Sequence, residues 1–364
     1  MDISKNKLSL ALSSSLNLEQ VSCSDWDLII RQARASNLLC KLYFLLKQRG
    51  VVDRLPMEVS RHLQASQFLG ANLCRSVFRE VDYINAALKS IDLPVVLLKG
   101  AAYVVRGAEA GNGRLFSDID ILVEKKHLEK AEESLKHHGW FNNDYDEYNE
   151  KYYRTWMHEI PALTHIKRDS VLDVHHAITP PTSNIKSNTG KLICNLESIE
   201  GMENVFTLSS VDLILHSAVH LFQDGEFDHG FRDLVDLDSL IREFSEQDEI
   251  FWERLTNRSV ELGFQRPIYY AIKYAKLFLN TPIPHAWLQR IEKGRPTFPT
   301  LMDFFFGRAL MPAHSTCDDR FTSFARWALY IRAHYLRMPL YLLIPHLIRK
   351  AYMKRMEKNK TAAE

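Results

Sequence analysis

The stretch 97–123, LLKGAAYVVRGAEAGNGRLFSDIDILV, constrains this chain more than any other. A hydrophobic run over 94–98 reads as a strand that stops at Lys99 and Gly100. A short helical stretch follows, then a Gly-rich connection over 107–113, then a second strand bearing Asp118 and Asp120. Side chains two apart on a strand share a face, so these carboxylates stand side by side while Ile119, Ile121 and Val123 turn to apolar packing. Adjacent like charges are unfavourable unless a cation lies between them, which points to a divalent metal. Mg²⁺ suits the pair best, because it takes hard oxygen ligands and keeps positions open for water and phosphate; Mn²⁺ is an acceptable substitute.

Three ordered pieces carry a likeness to known proteins: Leu98-Lys99-Gly100-Ala101-Ala102, then Arg114-Leu115-Phe116-Ser117-Asp118-Ile119-Asp120-Ile121-Leu122-Val123, then Leu172-Asp173-Val174-His175. With them the sequence resembles the nucleotidyltransferase superfamily that includes the DNA polymerase β type enzymes. More narrowly, it resembles the bacterial uncharacterised nucleotidyltransferase family, whose core reads roughly L-K-G-a-a, R-x-x-x-D-h-D-h-L-V and h-D-h-H. The resemblance implies an α+β fold, with a small mixed β-sheet nucleotidyltransferase core flanked by N-terminal helices and a C-terminal helical domain. It implies Mg²⁺-dependent transfer of a nucleoside monophosphate from a nucleoside triphosphate, ATP among the candidates, to an acceptor, with release of pyrophosphate. Asp118 and Asp120 would hold two ions about 3.5–4 Å apart, the arrangement that stabilises both entering and leaving oxygens. Asp173, flanked by Leu172 and Val174 in strand alternation, is the third carboxylate that the resemblance implies.

Physical reasons attach to the neighbouring residues. Gly100, where strand turns into helix, lets backbone N–H groups approach a triphosphate beside the helix N-terminus. Ala101 follows it where the superfamily usually has Gly or Ser, so a hydroxyl contact to phosphate is lost. Lys99 compensates by pairing with phosphate. Arg114 either binds the β- or γ-phosphate through its planar fork or neutralises the acidic strand. Ser117 precedes the acidic pair. His175 shares the face of Asp173 and either orients a carboxylate or the acceptor, or is a satisfied core histidine.

Among 364 residues, 46% are hydrophobic and 25% charged, which argues against wholesale disorder. A net charge of +1 gives no bulk attraction for nucleic acid, though local patches remain open. The five cysteines, Cys23, Cys40, Cys74, Cys194 and Cys317, are scattered and never in CxxC spacing, which disfavours disulfides and a cysteine zinc site and fits a reducing cytoplasm. Residues 1–18 read as a start without a cleavable leader, and no run approaches ~20 apolar residues, so no transmembrane segment is expected.

Residues 1–92 read as an N-terminal helical region, with Leu55-Pro56 breaking it and starting a new helix. Residues 93–180 read as the nucleotidyltransferase core, including a helix over 127–138 and two paired strands over 152–166 and 171–175. The text over 177–204, rich in Pro, Asn and Ser, marks a junction. Residues 205–364 read as a C-terminal helical domain, opened by a Ser209/Asp212 cap. That domain carries His216 and His220 at i, i+4 and then Arg232, Asp233 and Asp236. Three readings stand: a buried polar network, nucleotide or acceptor contacts from His220 and Arg232, or a metal site. Six Lys/Arg against one Glu over 346–360 suit a membrane surface, a nucleic-acid contact or a capping helix with a solvated basic tail.

The acceptor is not written in the sequence: RNA, protein, sugar and small molecule are all compatible. Two rival functions remain. One is a catalytically silent nucleotide-binding or scaffold protein that keeps the fold, which Ala101 favours. The other is a metal-dependent hydrolase using the same carboxylates.

Overall fold

The computed structural model describes residues 3–13, 20–142, 147–183, 189–223 and 225–338, with 341 and 344. The basic stretch 346–360 lies outside the described residues. The chain opens with α1 (Lys7–Leu12), α2 (Cys23–Ala35), α3 (Leu39–Gln48) and α4 (Met57–Lys89). Ser22 caps α2 by accepting the Asp25 N–H at 3.1 Å. Pro56 stands at the N-cap of α4, which runs for 33 residues and buries a stripe of Val59, Leu63, Val77, Val81, Ile84 and Leu88.

Next come β1 (Val95–Leu98), α5 (Lys99–Arg106), β2 (Asp118–Leu122), α6 (Leu128–His137), β3 (Trp140–Asn142), α7 (Glu147–Trp156), β4 (Leu163–His165) and β5 (Val171–His175). Then follow α8 (Thr189–Ile193), β6 (Leu196–Ser198), β7 (Val205–Leu208) and α9 (Ser210–Gln223). The rest is helical: α10 (Gly230–Gln247), α11 (Phe251–Glu261), α12 (Gln265–Leu279), α13 (His285–Ile291), α14 (Pro299–Ala309) and α15 (Thr322–Arg337). No helix among the described residues is long and apolar enough to cross a membrane.

The strands form one seven-stranded mixed sheet in the order β3-β4-β5-β2-β1-β7-β6. All four residues of β1 are buried, as a central strand covered on both faces requires. It pairs antiparallel with β2 and parallel with β7, and β2 pairs parallel with β5. The expected α+β architecture holds. One continuous apolar core joins the N-terminal helices, the sheet and the C-terminal helices. The central C-terminal helix is α9, buried nearly all round and tied to α11 by Arg258, whose Nε lies 2.8 Å from Oδ1 of the fully buried Asp212.

Two stretches differ from their sequence reading. Residues 147–156, partly assigned to a strand, form α7 instead. Within it, Tyr152 and Trp156 meet at helical spacing with ring centroids 5.8 Å apart. Glu150 and Arg154 likewise pair at i, i+4. The other stretch is 177–204, read as irregular, which holds α8 and β6. With β7, β6 extends the sheet beyond β1.

The connection between α5 and β2 is fixed by glycine. Gly107 ends α5 in the left-handed conformation, φ +73°. Gly113, φ +71°, lies so close to α3 that a Cβ would stand 2.6 Å from the Cys40 carbonyl carbon and the Lys41 nitrogen. Gly113→Ala combines backbone strain with a backbone clash, so about 3 kcal/mol of destabilisation is expected. Denaturant unfolding checks this; an unchanged midpoint contradicts the packing described.

Candidate active site

Sheet register assembles the acidic cluster. Asp120 lies opposite Leu98 of β1 and opposite Asp173 of β5. Cross-strand partners share a face, so Asp173 joins Asp120, and Asp118 joins them by the two-residue period of β2. Each of the three offers a carboxylate oxygen, and these atoms lie within 4.8 Å of one another. Asp120 is buried, while Asp118 and Asp173 are partly exposed.

Asp120 is also the centre of a charge network. Its Oδ1 accepts from Lys99 Nζ at 2.6 Å and from His175 Nε2 at 2.9 Å. Burial alone raises its proton affinity, but the Lys99 ammonium and the His175 contact outweigh this and hold the carboxyl far below the ordinary range. His175 itself, buried and therefore pushed down, is pulled up overall by Asp120 and by Glu159, whose Oε2 lies 3.3 Å from Nδ1. Asp173 behaves oppositely. Burial first, then the carboxylates of Asp120 and Glu159, push it up to about 7. A divalent ion is the group that would relieve such crowding, so the three aspartates fit a metal in both donor chemistry and charge.

This gives a test by pH. In metal-free protein, a folded-state value raised above the unfolded 3.8 destabilises; the penalty is absent below 3.8, grows with pH and is complete above about 7. Asp173→Asn is therefore expected to be more stable than wild type at about pH 8, by up to ~4 kcal/mol at ~1.4 kcal/mol per pH unit, and not at about pH 4. Unfolding curves at the two pH values check this. An equal difference at both would remove the proposed crowding.

Lys99 carries the strained backbone of the strand-to-helix turn, with φ +47°, a left-handed conformation unusual outside glycine. Sequence reasoning gave that turn's special role to Gly100, next door. A Cβ on Gly100 would meet the Phe116 ring at 3.5 Å, an ordinary contact. The chain itself therefore does not require glycine there. Ala101 is buried in the core at 1% exposure, so its side chain packs inward. Ser117 is exposed and its hydroxyl donates to Asp118 Oδ1 at 3.2 Å.

Arg114 is placed elsewhere. Its buried guanidinium pairs with two carboxylates of α10, Nε to Asp236 Oδ2 at 2.6 Å and an Nη to Asp233 Oδ1 at 3.3 Å. Arg232 shares Asp233 through its Nε at 3.0 Å, and the His220 charge acts on the same carboxylate. Arg114, Arg232, Asp233 and Asp236 thus form a polar network that fastens α10 to the loop before β2. His216, buried on α9, feels Lys99, His175 and Asp120, and burial holds its imidazole well below the usual value. Sequence reasoning missed Glu159 and His158, which reach His175 from the segment after α7. A His-Glu pair outside any motif gives no signal by spacing; only the fold brings it to β5.

No curated protein and no solved structure matches the chain. The sequence profile described as Uncharacterised nucleotidyltransferase matches residues 22–280, which takes in the N-terminal helices from α2, the whole sheet and α9 to α12. The chain belongs to the uncharacterised nucleotidyltransferase family.

Proposed function

We propose that this protein is a Mg²⁺-dependent nucleotidyltransferase that moves a nucleoside monophosphate from a nucleoside triphosphate to an acceptor hydroxyl or phosphate. The observation that carries the reading is the convergence of Asp118, Asp120 and Asp173 beside the Lys99-Gly100 turn. In the reaction, the acceptor oxygen bonds to the α-phosphorus as the bond to the bridging β-oxygen breaks, and pyrophosphate leaves. Asp118, Asp120 and Asp173 would hold Mg²⁺, or Mn²⁺ in its place. When bound, such ions stabilise the negative charge on the entering and leaving oxygens.

The chain's own groups do the rest. Asp173, at the partly exposed edge of the cluster, would hold an ion on the acceptor side, which would favour loss of an acceptor hydroxyl's proton to water. The Lys99 ammonium is assigned to the triphosphate as well as to Asp120, which keeps it positioned before nucleotide arrives. Gly100 leaves the space above the turn clear for phosphate, which explains a glycine that internal packing does not demand. Ser117, exposed at the mouth of the site, is assigned to phosphate too. His175 is a positioning residue for Asp120. Arg114 and Arg232 act by holding α10 against the site, with His220 beside the carboxylate they share. The burial of Ala101 supports an active enzyme over a silent module, because a side chain packed in the core is not a lost phosphate contact.

The reaction is placed in the cytoplasm, with RNA, protein, sugar or a small molecule as acceptor. The test is incubation of the purified protein with each labelled triphosphate and a cell lysate. Label transferred to a macromolecule or metabolite supports the reading and identifies the acceptor class. Release of phosphate without a labelled acceptor would establish a hydrolase instead. Lys99→Met is expected to weaken triphosphate binding by ~10-fold or more, as loss of a charge-assisted contact implies. Calorimetric titration of the variant checks this, and unchanged affinity would remove Lys99 from the phosphate site.

A further inference from the structure

A second cluster of donors stands one side chain away from the aspartates. His158, Glu159 and His175 each offer one ligand atom, and these lie within 4.8 Å of one another. His158 and His175 are buried, their ring centroids 5.4 Å apart. The backbone holds the donors in place. The segment 158–160 is strapped to β5 by an Ile160 N–H to Val174 O bond at 3.1 Å and a His176 N–H to His158 O bond at 2.7 Å. Glu159 and His175 also face each other across an isolated antiparallel bridge.

The tautomer of His175 follows from its partners. Asp120 is an ionised carboxylate and only accepts, so the His175 Nε2 at 2.9 Å carries the hydrogen. On the other side of the ring, Nδ1 stands 3.3 Å from Glu159 Oε2. Two donors each ~2.0–2.1 Å from a tetrahedral zinc stand about 3.3 Å apart. The separation of Nδ1 and Oε2 matches that edge, and the Asp120–His175 bond is the outer partner that metal-bound histidines commonly have.

We infer that His158, Glu159 and His175 form a site for one zinc-class divalent ion, distinct from the three-aspartate cluster. Two imidazoles and one carboxylate leave a fourth position for water, and this donor set selects zinc where three aspartates select Mg²⁺. Zinc there holds His175 in the tautomer that donates to Asp120. The inference stands apart from the transfer reaction, since the ion is bound whether or not a nucleotide is transferred.

The test uses the full chain, stripped by a chelator and titrated with Zn²⁺ in the presence of excess Mg²⁺. One zinc per chain is expected. His158→Ala and Glu159→Gln should each weaken zinc by at least ~100-fold, as loss of a ligand implies, while Asp118→Asn leaves it unchanged. A measurement on the unaltered protein guards against misfolded variants: Co²⁺ in place of zinc should give the intense visible bands of a four-coordinate ion. No zinc binding over Mg²⁺, equal loss in Asp118→Asn, or the weak bands of six-coordinate cobalt would overturn the inference. His175 would then be an imidazolium bridging two carboxylates.

Discussion

Replacing Asp118 and Asp120 together with alanine is expected to abolish metal-dependent nucleotide binding and to lower transfer by at least ~10³-fold. That corresponds to several kcal/mol of charge stabilisation, each 1.36 kcal/mol being a factor of ten. Sheet register sets this effect. Asp118 and Asp120 share one face of β2, and Asp173 is brought beside Asp120 by parallel pairing with β5. Removing two of three donors leaves Asp173 alone, which cannot hold a hard divalent ion in place. The variant also leaves Lys99 and His175 without their common carboxylate, so triphosphate binding without metal will not collapse as far. A titration with and without Mg²⁺ separates the two. Unchanged Mg²⁺-dependent affinity would dismantle the site.

The second large effect is on stability. Arg114 is buried with Asp236 and Asp233 against it, and burial pushes Asp236 up despite the guanidinium. Arg114→Ala is expected to cost about 3–5 kcal/mol, because it leaves Asp236 buried without its paired cation and Asp233 with Arg232 alone. Arg114→Met with Asp236→Leu should cost much less, since the pair is removed together rather than split. Denaturant midpoints of the two variants decide this. An equal loss in both would mean that packing volume, and not charge, sets the price of change at this junction.

Strand alternation and the apolar flanks of Asp118 and Asp120 made the acidic pair legible, because period two is a local property. The helix over 128–137 was equally legible, ending where Gly139 takes φ +97°. What could not be read was everything that depends on which segments meet. Arg114 offers the same guanidinium to a phosphate or to Asp236, and only the placement of α10 decides. The left-handed backbone at Lys99 was hidden by the glycine beside it, since sequence favours glycine for that role. Tyr152 and Trp156 carried a strand propensity that i, i+4 contacts overrode in α7. Glu159 reaches His175 through an isolated bridge that no local pattern announces.

Whether three carboxylates meet a metal at one turn is tested most directly by diffraction from crystals grown with Mn²⁺ and a non-hydrolysable nucleoside triphosphate. Anomalous peaks among Asp118, Asp120 and Asp173, with the triphosphate over Lys99 and Gly100, are the predicted result. Manganese bound without contact to these aspartates, or a triphosphate seated away from that turn, would contradict it.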